Sequence, residues 1–389
     1  HDALLAQIRR VEAGEYGRYR HAVPKGDALE PAAGAGSPYL QGMVLLMDTR
    51  TGLVRALVGG RDFSHSSYDR AFAARRQPGS AFKPIVYAAA IQHGLTTSTR
   101  VATTPVALAG TRVTWRPDDL VDDSVTSLVA RDALARSSNY AAVRVGMGVG
   151  EHRVIGMARA LGLTTSIPAY PSIFLGSAEV APAEFVSAYA TLANGGNRVR
   201  PTLIERVEDT RGNVLWRADR PAERAVDEGV AFLTVNMMQD VIDNGTGSAV
   251  RRAGFWHTAA GKTGTTNDAR DVWFLGVTPD LAAGVWLGFD QPKTILSNAT
   301  GGSLAAPVWT EVMKAAYADR PAPPPWTPPP GVVTAAVDTE TGKLAEPDCP
   351  REHVRIEYFL PGTQPLEYCP LHGGGSVLKR LLRGLQRVF

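Results

Sequence analysis

The order of apolar patterns along the chain predicts an α+β fold, with an antiparallel sheet flanked by helices and an inserted, mostly α-helical subdomain. Three observations carry this reading: a hairpin pattern near the start, an Ala-rich helical block in the middle, and a second hairpin late in the chain. In the first hairpin, apolar Met43–Met47 and Leu53–Val58 flank the turn Asp48-Thr49-Arg50-Thr51-Gly52. Ser80 to His93 then reads as a helix, started after Pro78-Gly79 and closed by Gly94. Residues 124–193 continue in helical, Ala-rich sequence, and Glu228–Ile242 forms a further helix. Val272–Val277 and Ala283–Phe289, around Thr278-Pro279-Asp280, make the second hairpin. Strands from both ends of the sequence thus complete one sheet.

Composition shifts divide the chain into three parts. Residues 1–38 form an N-terminal linker region, a charged helix-compatible stretch ending in the Ala/Gly/Pro-rich run Pro31 to Pro38. Residues 39–320 form the main domain. Residues 321–389 open with a connector, Pro321 to Pro330, too Pro-rich for helix or central strand, followed by a small C-terminal β-containing extension. Asp338-Thr339-Glu340-Thr341-Gly342 echoes the first hairpin turn, but five residues do not establish a repeat. The apolar and basic stretch Val377–Arg383 reads as a solvated helix or tail, with contact to an anionic membrane surface as the alternative.

The formal charge of the 389-residue chain is only +3, and its basic residues are dispersed, which argues against nucleic acid as a partner. There is no run of 18 apolar residues, so a membrane anchor is expected upstream of this sequence. Of 41 basic residues only seven are lysine, which makes each lysine a choice. The only cysteines, Cys349 and Cys369, admit three readings. They are a disulfide candidate, contributing about 3 kcal/mol by loop closure; a pair of free thiols; or, with His353 and His372, a zinc site.

Three short motifs carry chemistry. In Ser80-Ala81-Phe82-Lys83 a spacing of three puts hydroxyl and amine on one helical face, at the positive end of the helix dipole. Arginine cannot be deprotonated in a protein, whereas a desolvated lysine can, and a neutral amine serves as a general base. In Ser137-Ser138-Asn139 a hydroxyl can relay a proton to a leaving amine, and the Asn139 carboxamide offers donor and acceptor to a peptide backbone. In Ala260-Gly261-Lys262-Thr263-Gly264-Thr265-Thr266 the glycines allow an extended chain to approach a sheet edge. Lys262 supplies a fixed positive charge there, and the hydroxyls of Thr263 and Thr265 can bind a carboxylate. A phosphate loop is excluded because its first glycine would fall on Trp256.

Ser-x-x-Lys, Ser-x-Asn and Lys-Thr-Gly in this order are the signature of the penicillin-recognising serine enzymes. The chain resembles the transpeptidase part of the class A penicillin-binding proteins. The likeness includes Arg75-Arg76-Gln77-Pro78-Gly79-Ser80, Leu175-Gly176-Ser177 through Asn194-Gly195-Gly196, Asp271-Val272-Trp273-Phe274-Leu275-Gly276, and in the tail Glu357-Tyr358-Phe359-Leu360-Pro361-Gly362-Thr363. The resemblance implies a DD-peptidase/β-lactamase-like fold and a peptidoglycan cross-linking reaction. Ser80 is then the acylated nucleophile, Lys83 its base, Ser137 the proton relay, Asn139 a substrate clamp and Lys262 an electrostatic support. Thr263, Gly264 and Thr265 bind the terminal carboxylate of a stem peptide ending in D-Ala-D-Ala, and the backbone N–H groups of Ser80 and Thr265 form the oxyanion hole. It implies inhibition by β-lactams, no cofactor and no catalytic metal, and an extracytoplasmic location.

Two departures matter. Family members commonly carry Asn after the Pro preceding the second motif, whereas Asp118-Asp119 follow Pro117 here. The glycosyltransferase domain that precedes the transpeptidase in class A proteins has no counterpart in these residues, so that domain and the anchor are expected outside them. A β-lactamase is disfavoured by the lack of a Glu-x-x-x-Asn loop between the second and third motifs. A D-Ala-D-Ala carboxypeptidase and a β-lactam sensor remain as alternatives.

Overall fold

The structure is a computed structural model that describes residues 1–24, 36–107, 114–115, 119–219 and 223–372. Most of the Pro31–Pro38 run, Pro117-Asp118 and Val377–Arg383 lie outside the described residues.

The expected first hairpin is present as β1 (Gln41–Asp48) and β2 (Val54–Val58). Its turn is fixed by Asp48, whose Oδ1 accepts from Thr51 N at 2.8 Å and Thr51 Oγ1 at 2.9 Å. Gly52 sits at φ 74°, where a Cβ would lie 2.1 Å from the carbonyl oxygen of Arg200, so no larger residue fits. Short strand pairs follow: β3 (Arg100–Ala102) with β6 (Ser127–Val129), β4 (Val106–Ala107) with β5 (Thr114–Trp115), and β7 (Arg206–Glu208) with β8 (Val214–Arg217). The sheet is completed by β9 (Ala260–Thr265), β10 (Asp271–Val277) and β11 (Leu281–Gly288). Its order is β2-β1-β11-β10-β9, and every pairing is antiparallel. Early and late sequence therefore meet at the β1–β11 ladder, and β9 is left at an edge.

The helices are α1 (Asp2–Glu12), α2 (Lys83–Gln92), α3 (Ala130–Ala135), α4 (Asn139–Val149), α5 (Glu151–Ala160), α6 (Pro182–Ala193), α7 (Glu228–Asp243), α8 (Ala249–Arg252) and α9 (Ala306–Tyr317). They cover both faces of the sheet. Met43, Leu45, Met47, Trp273, Leu275 and Trp286 point into a core shared with α2, α6 and α7. The alternate residues Val44, Leu46, Val272, Phe274, Val285 and Leu287 face α1 and α9. Because both faces are buried, the strands read as apolar runs and not as apolar-polar alternation. Helix α2 lies inside, buried from Lys83 to Ile91.

Three expectations need correction. Residues 1–12 are no linker: Leu4, Ile8 and Val11 make an apolar stripe at helical spacing, and α1 buries it against the sheet. The helix predicted from Ser80 begins as a 3₁₀ turn, Gly79–Phe82, and becomes α-helical only at Lys83. Residues 127–129, expected to be helical, form β6, whose Leu128 and Val129 gain burial by pairing with β3.

The connector 321–330 is neither helix nor strand, and Trp326 Nε1 donates to Ala193 O at 3.1 Å. Beyond it, β12 (Val333–Asp338) pairs with β13 (Val354–Phe359). Arg131 of α3 clamps this tail: Nε donates to Glu357 Oε1 at 2.7 Å, Nη2 to Glu357 Oε2 at 2.6 Å, and Nη1 to Asp240 Oδ2 at 2.9 Å. Glu357 is 1% exposed, so losing Arg131 leaves a buried carboxylate with only Arg355, 3.7 Å away, as cationic partner. Arg131→Ala is expected to cost about 3–5 kcal/mol in urea unfolding, while the apolar pair Arg131→Met with Glu357→Leu recovers most of it.

Candidate active site

Ser80 lies on the 3₁₀ turn, and Lys83 N donates to Ser80 O. In a 3₁₀ helix residues i and i+3 eclipse, so the two side chains share one side more strictly than on an α-helix. The turn is held from several directions. Trp273 Nε1 donates to Gln77 O at 2.9 Å and Tyr189 OH donates to Ala81 O at 2.6 Å. Arg76 stacks its guanidinium 4.7 Å from the Trp286 ring centre and donates to Asp290 O. Gly79 has φ 54°, and a Cβ there would lie 2.4 Å from Thr265 O. The absence of that Cβ lets the Ser80 turn touch the end of β9.

The second motif occupies the joint between two helices. Ser138 N donates to Ala133 O and Ser137 N to Leu134 O, the pair of bonds that ends a helix with a left-handed residue. That residue is Ser137, at φ 60°. Glycine takes such a position without strain, and a serine there costs roughly 1 kcal/mol or more. What serine adds is a hydroxyl, and it is fully engaged. Lys83 Nζ lies 3.2 Å and Lys262 Nζ 2.8 Å from Ser137 Oγ. One residue later Ser138 caps α4 by accepting from Ala141 N at 3.2 Å, which turns Asn139 inward so that its Oδ1 accepts from Lys83 Nζ at 2.6 Å.

Lys83 and Lys262 are both completely buried. Burial pulls Lys83 down from the ordinary lysine range to about 7, opposed by the nearby Asp119 carboxylate. Burial, and then the charge of Lys83, hold Lys262 well below that range too. Two amines around one buried hydroxyl disfavour each other's charge, so the positive charge expected on Lys262 is opposed by its surroundings. A neutral Lys83 amine keeps two N–H bonds for Ser137 O at 2.5 Å and Asn139 Oδ1, leaving its lone pair as a proton acceptor.

The third motif is β9 at the sheet edge, as expected of a strand-addition site. Thr266 N donates to Asp271 O, so Gly264 and Lys262 bond to β10 while Thr265 and Thr263 turn their N–H groups outward. Thr265 Oγ1 accepts from Gly301 N at 3.2 Å. Thr263 Oγ1 pairs with Thr246 Oγ1 at 2.7 Å. The sequence-expected residues Ser80, Lys83, Ser137, Asn139, Lys262, Thr263, Gly264 and Thr265 therefore gather where α2, the α3–α4 joint and β9 meet.

Sequence reading missed two participants. Asp119 Oδ2 accepts from Ser138 Oγ at 2.8 Å and from Tyr140 N at 2.9 Å, pinning the second motif from outside. Its signal was present as the departure after Pro117, but its partner was invisible. Thr246 carries no sequence signal at all.

The cysteines separate from this site. Cys349 and Cys369 are buried and near each other in the tail, yet both are free thiols, so the disulfide candidate is not formed. His353 lies outside the group of ligand atoms that surrounds them, and Asp338 stands in its place.

A family model described as the penicillin binding protein transpeptidase domain matches residues 42–314, and one described as the penicillin-binding protein 1A C-terminal domain matches 328–374. Penicillin-binding protein 1A of Pseudomonas aeruginosa is 34% identical over 369 residues, covering 80% of this chain and 44% of that relative. Penicillin-binding protein 2D of Bacillus subtilis is 37% identical, covering 88% and 50%. The chain thus spans about half the length of the curated relatives it matches. Among solved structures, penicillin-binding protein 1A from Haemophilus influenzae superposes with a TM-score of 0.78 at 27% identity, over 85% of this chain and 54% of that one. Penicillin-binding protein PonA1 from Mycobacterium tuberculosis superposes at 0.65 with 23% identity, over 84% and 86%, a likeness of fold.

Two measurements check the electrostatics. In a lysine-labelled sample the Lys83 side-chain NMR signal is expected to titrate near pH 7, far from surface lysines. Asp119→Ala removes a charged acceptor from Ser138 Oγ and Tyr140 N and is expected to destabilise by about 1.5–3 kcal/mol in chemical unfolding, with Asp119→Asn losing less.

Proposed function

The chain belongs to the penicillin-binding protein transpeptidase family, and from that premise we propose that Ser80 is the acyl-accepting nucleophile of a peptidoglycan DD-transpeptidase acting on stem peptides that end in D-Ala-D-Ala. The observation that carries this reading is the single hydroxyl, Ser137 Oγ, gripped by two fully buried lysine amines beside the Ser80 turn. Such an arrangement moves protons without water.

In the first half-reaction the neutral Lys83 amine takes the Ser80 proton as Oγ attacks the penultimate carbonyl carbon. The negative oxygen that forms is met by the N–H groups of Ser80 and Thr265, which need no particular side chain. The C–N bond then breaks, and the proton passes from Lys83 through Ser137 Oγ to the departing amine of D-Ala. The substrate lies along the β9 edge, with its carboxylate at Thr263, Thr265 and Lys262 and its backbone against Asn139. A bound carboxylate favours the charged form of Lys262 against the burial that disfavours it. In the second half-reaction an amine of a neighbouring stem peptide attacks the ester, gives its proton back through the same groups, and frees Ser80 with a new amide bond. A β-lactam enters the first half-reaction only: its amine stays tethered after ring opening and blocks the acceptor.

The same reading takes residues 39–320 as the catalytic unit and 321–389 as connector and accessory module, and it places the protein on the extracytoplasmic side of the cell membrane. A glycosyltransferase domain and an anchor belong to the longer protein. Among the described residues, no helix is long and apolar enough to cross a membrane.

Incubation with a fluorescent penicillin followed by intact-mass analysis tests the proposal. One long-lived adduct is expected on Ser80, none in Ser80→Ala, and acylation slowed about 10²–10⁴-fold in Lys83→Arg, which keeps the charge but not the base. The acylation rate should climb with pH through a midpoint near 7, because the neutral fraction of Lys83 grows as the proton leaves. Rapid release of the adduct would reject the transpeptidase in favour of a hydrolase. With stem pentapeptide and an acceptor amine, D-Ala release without a cross-linked product would identify a carboxypeptidase instead.

A further inference from the structure

Far from Ser80, the tail folds four potential metal ligands into one point: the carboxylate of Asp338, the thiols of Cys349 and Cys369, and the imidazole of His372. One ligand atom from each lies within 4.8 Å of every other. His372 Nδ1 is 3.4 Å from Cys369 Sγ and 3.2 Å from Asp338 Oδ2. We infer that this cluster is a structural zinc site, ligated by Asp338, Cys349, Cys369 and His372, that closes the C-terminal module.

The geometry fits. Zinc binds cysteine sulfur at about 2.3 Å and histidine nitrogen or carboxylate oxygen at about 2.0–2.2 Å, so the edges of its tetrahedron run roughly 3.3–3.8 Å. The two His372 separations, 3.4 and 3.2 Å, are already close to such edges. A set of two sulfurs, one nitrogen and one oxygen around a point is the donor chemistry of zinc and not of calcium or magnesium. Cys369 and His372 are spaced as ligands on one turn, and the chain brings Asp338 and Cys349 to them by short backbone links: Cys369 N donates to Leu344 O at 2.8 Å and Asp338 N to Lys343 O at 2.8 Å.

Each ligand is also oriented by an outer partner. Glu346 N donates to Cys349 Sγ at 3.3 Å, as backbone amides do to metal thiolates. Asp338 Oδ1 accepts from Thr341 N and Oγ1, which leaves Oδ2 for the cluster. The twin turn at Asp48 makes the same two bonds, but its Oδ2 faces Arg55 at 3.9 Å. The same turn chemistry thus serves here with its second oxygen directed at this buried point instead of a surface cation. Glu340 Oε2 stands 4.0 Å from His372 Nε2 and 3.3 Å from His353 Nδ1, the position of a carboxylate that orients a ligating imidazole.

A disulfide explains only two of the four groups. It would give no partner to Asp338 Oδ2, the oxygen that the turn does not use, apart from His372. Zinc uses all four, with both thiols giving up their protons to solvent on binding.

The test uses the full chain, purified under reducing conditions and equilibrated with zinc, then desalted. One tightly held zinc per chain by elemental analysis is expected, and replacement by cobalt should give the visible bands of a tetrahedral ion with a thiolate charge-transfer band. Cys369→Ser and Asp338→Asn should lose the bound metal and the charge-transfer band or its tetrahedral shape, while penicillin acylation at Ser80 persists and reports an intact main domain. His353→Ala should keep one zinc with affinity lowered at most about 10–100-fold. The inference is overturned by a metal-free chain with two titratable thiols, by an intact mass two hydrogens lighter in protein that takes up no metal, or by undiminished zinc in both ligand variants.

Discussion

The site depends on the burial of two amines around one hydroxyl. Lys83 and Lys262 reach Ser137 Oγ from different elements, and neither has solvent to stabilise its charge. Desolvation is ordinarily a cost to folding, of several kcal/mol for an unpaired ion. Here it lowers the proton affinity of Lys83 to about 7, which is what the proposed reaction requires of an amine that accepts a proton and returns it.

Much of the surrounding architecture serves to hold that arrangement. The sheet puts β9 at an edge, and the glycines at 79 and 264 let the Ser80 turn press against it; a Cβ at Gly264 would lie 2.5 Å from Pro78 O. The α3–α4 joint stores strain at Ser137 and is secured on its far side by Asp119. Helix α3, which ends at this joint, also carries Arg131 into the tail. The accessory module is therefore joined to the helix that ends at the second motif by the buried pair Arg131–Glu357 and by the neighbouring pair Asp132–Arg355.

The tail has its own organising centre. Its two strands are too few to form a core, and small modules of this size rely on a covalent or metal staple. The proposed four-ligand cluster would supply one, built on a turn that makes the same Asp–Thr hydrogen bonds as the first hairpin.

The sequence by itself determined the α+β class, both hairpins and the long helix at 228–243, and its three motifs singled out eight residues that the fold brings together, because hydrophobic period, turn chemistry and motif spacing are local properties that survive in any context. It failed where a residue's state depends on what comes to meet it. The stripe Leu4, Ile8 and Val11 shows its meaning only once a sheet face needs a cover. The proton affinity of Lys262 is lowered first by burial and then by Lys83, far away in the chain. Asp119 and Thr246 matter through partners that spacing does not reveal, and Asp338 joins two cysteines instead of His353 because a turn at the end of β12 aims its oxygen at them. Tertiary structure decided these points, since burial and mutual distance, the quantities that set pKa and ligation, do not exist before the chain is folded.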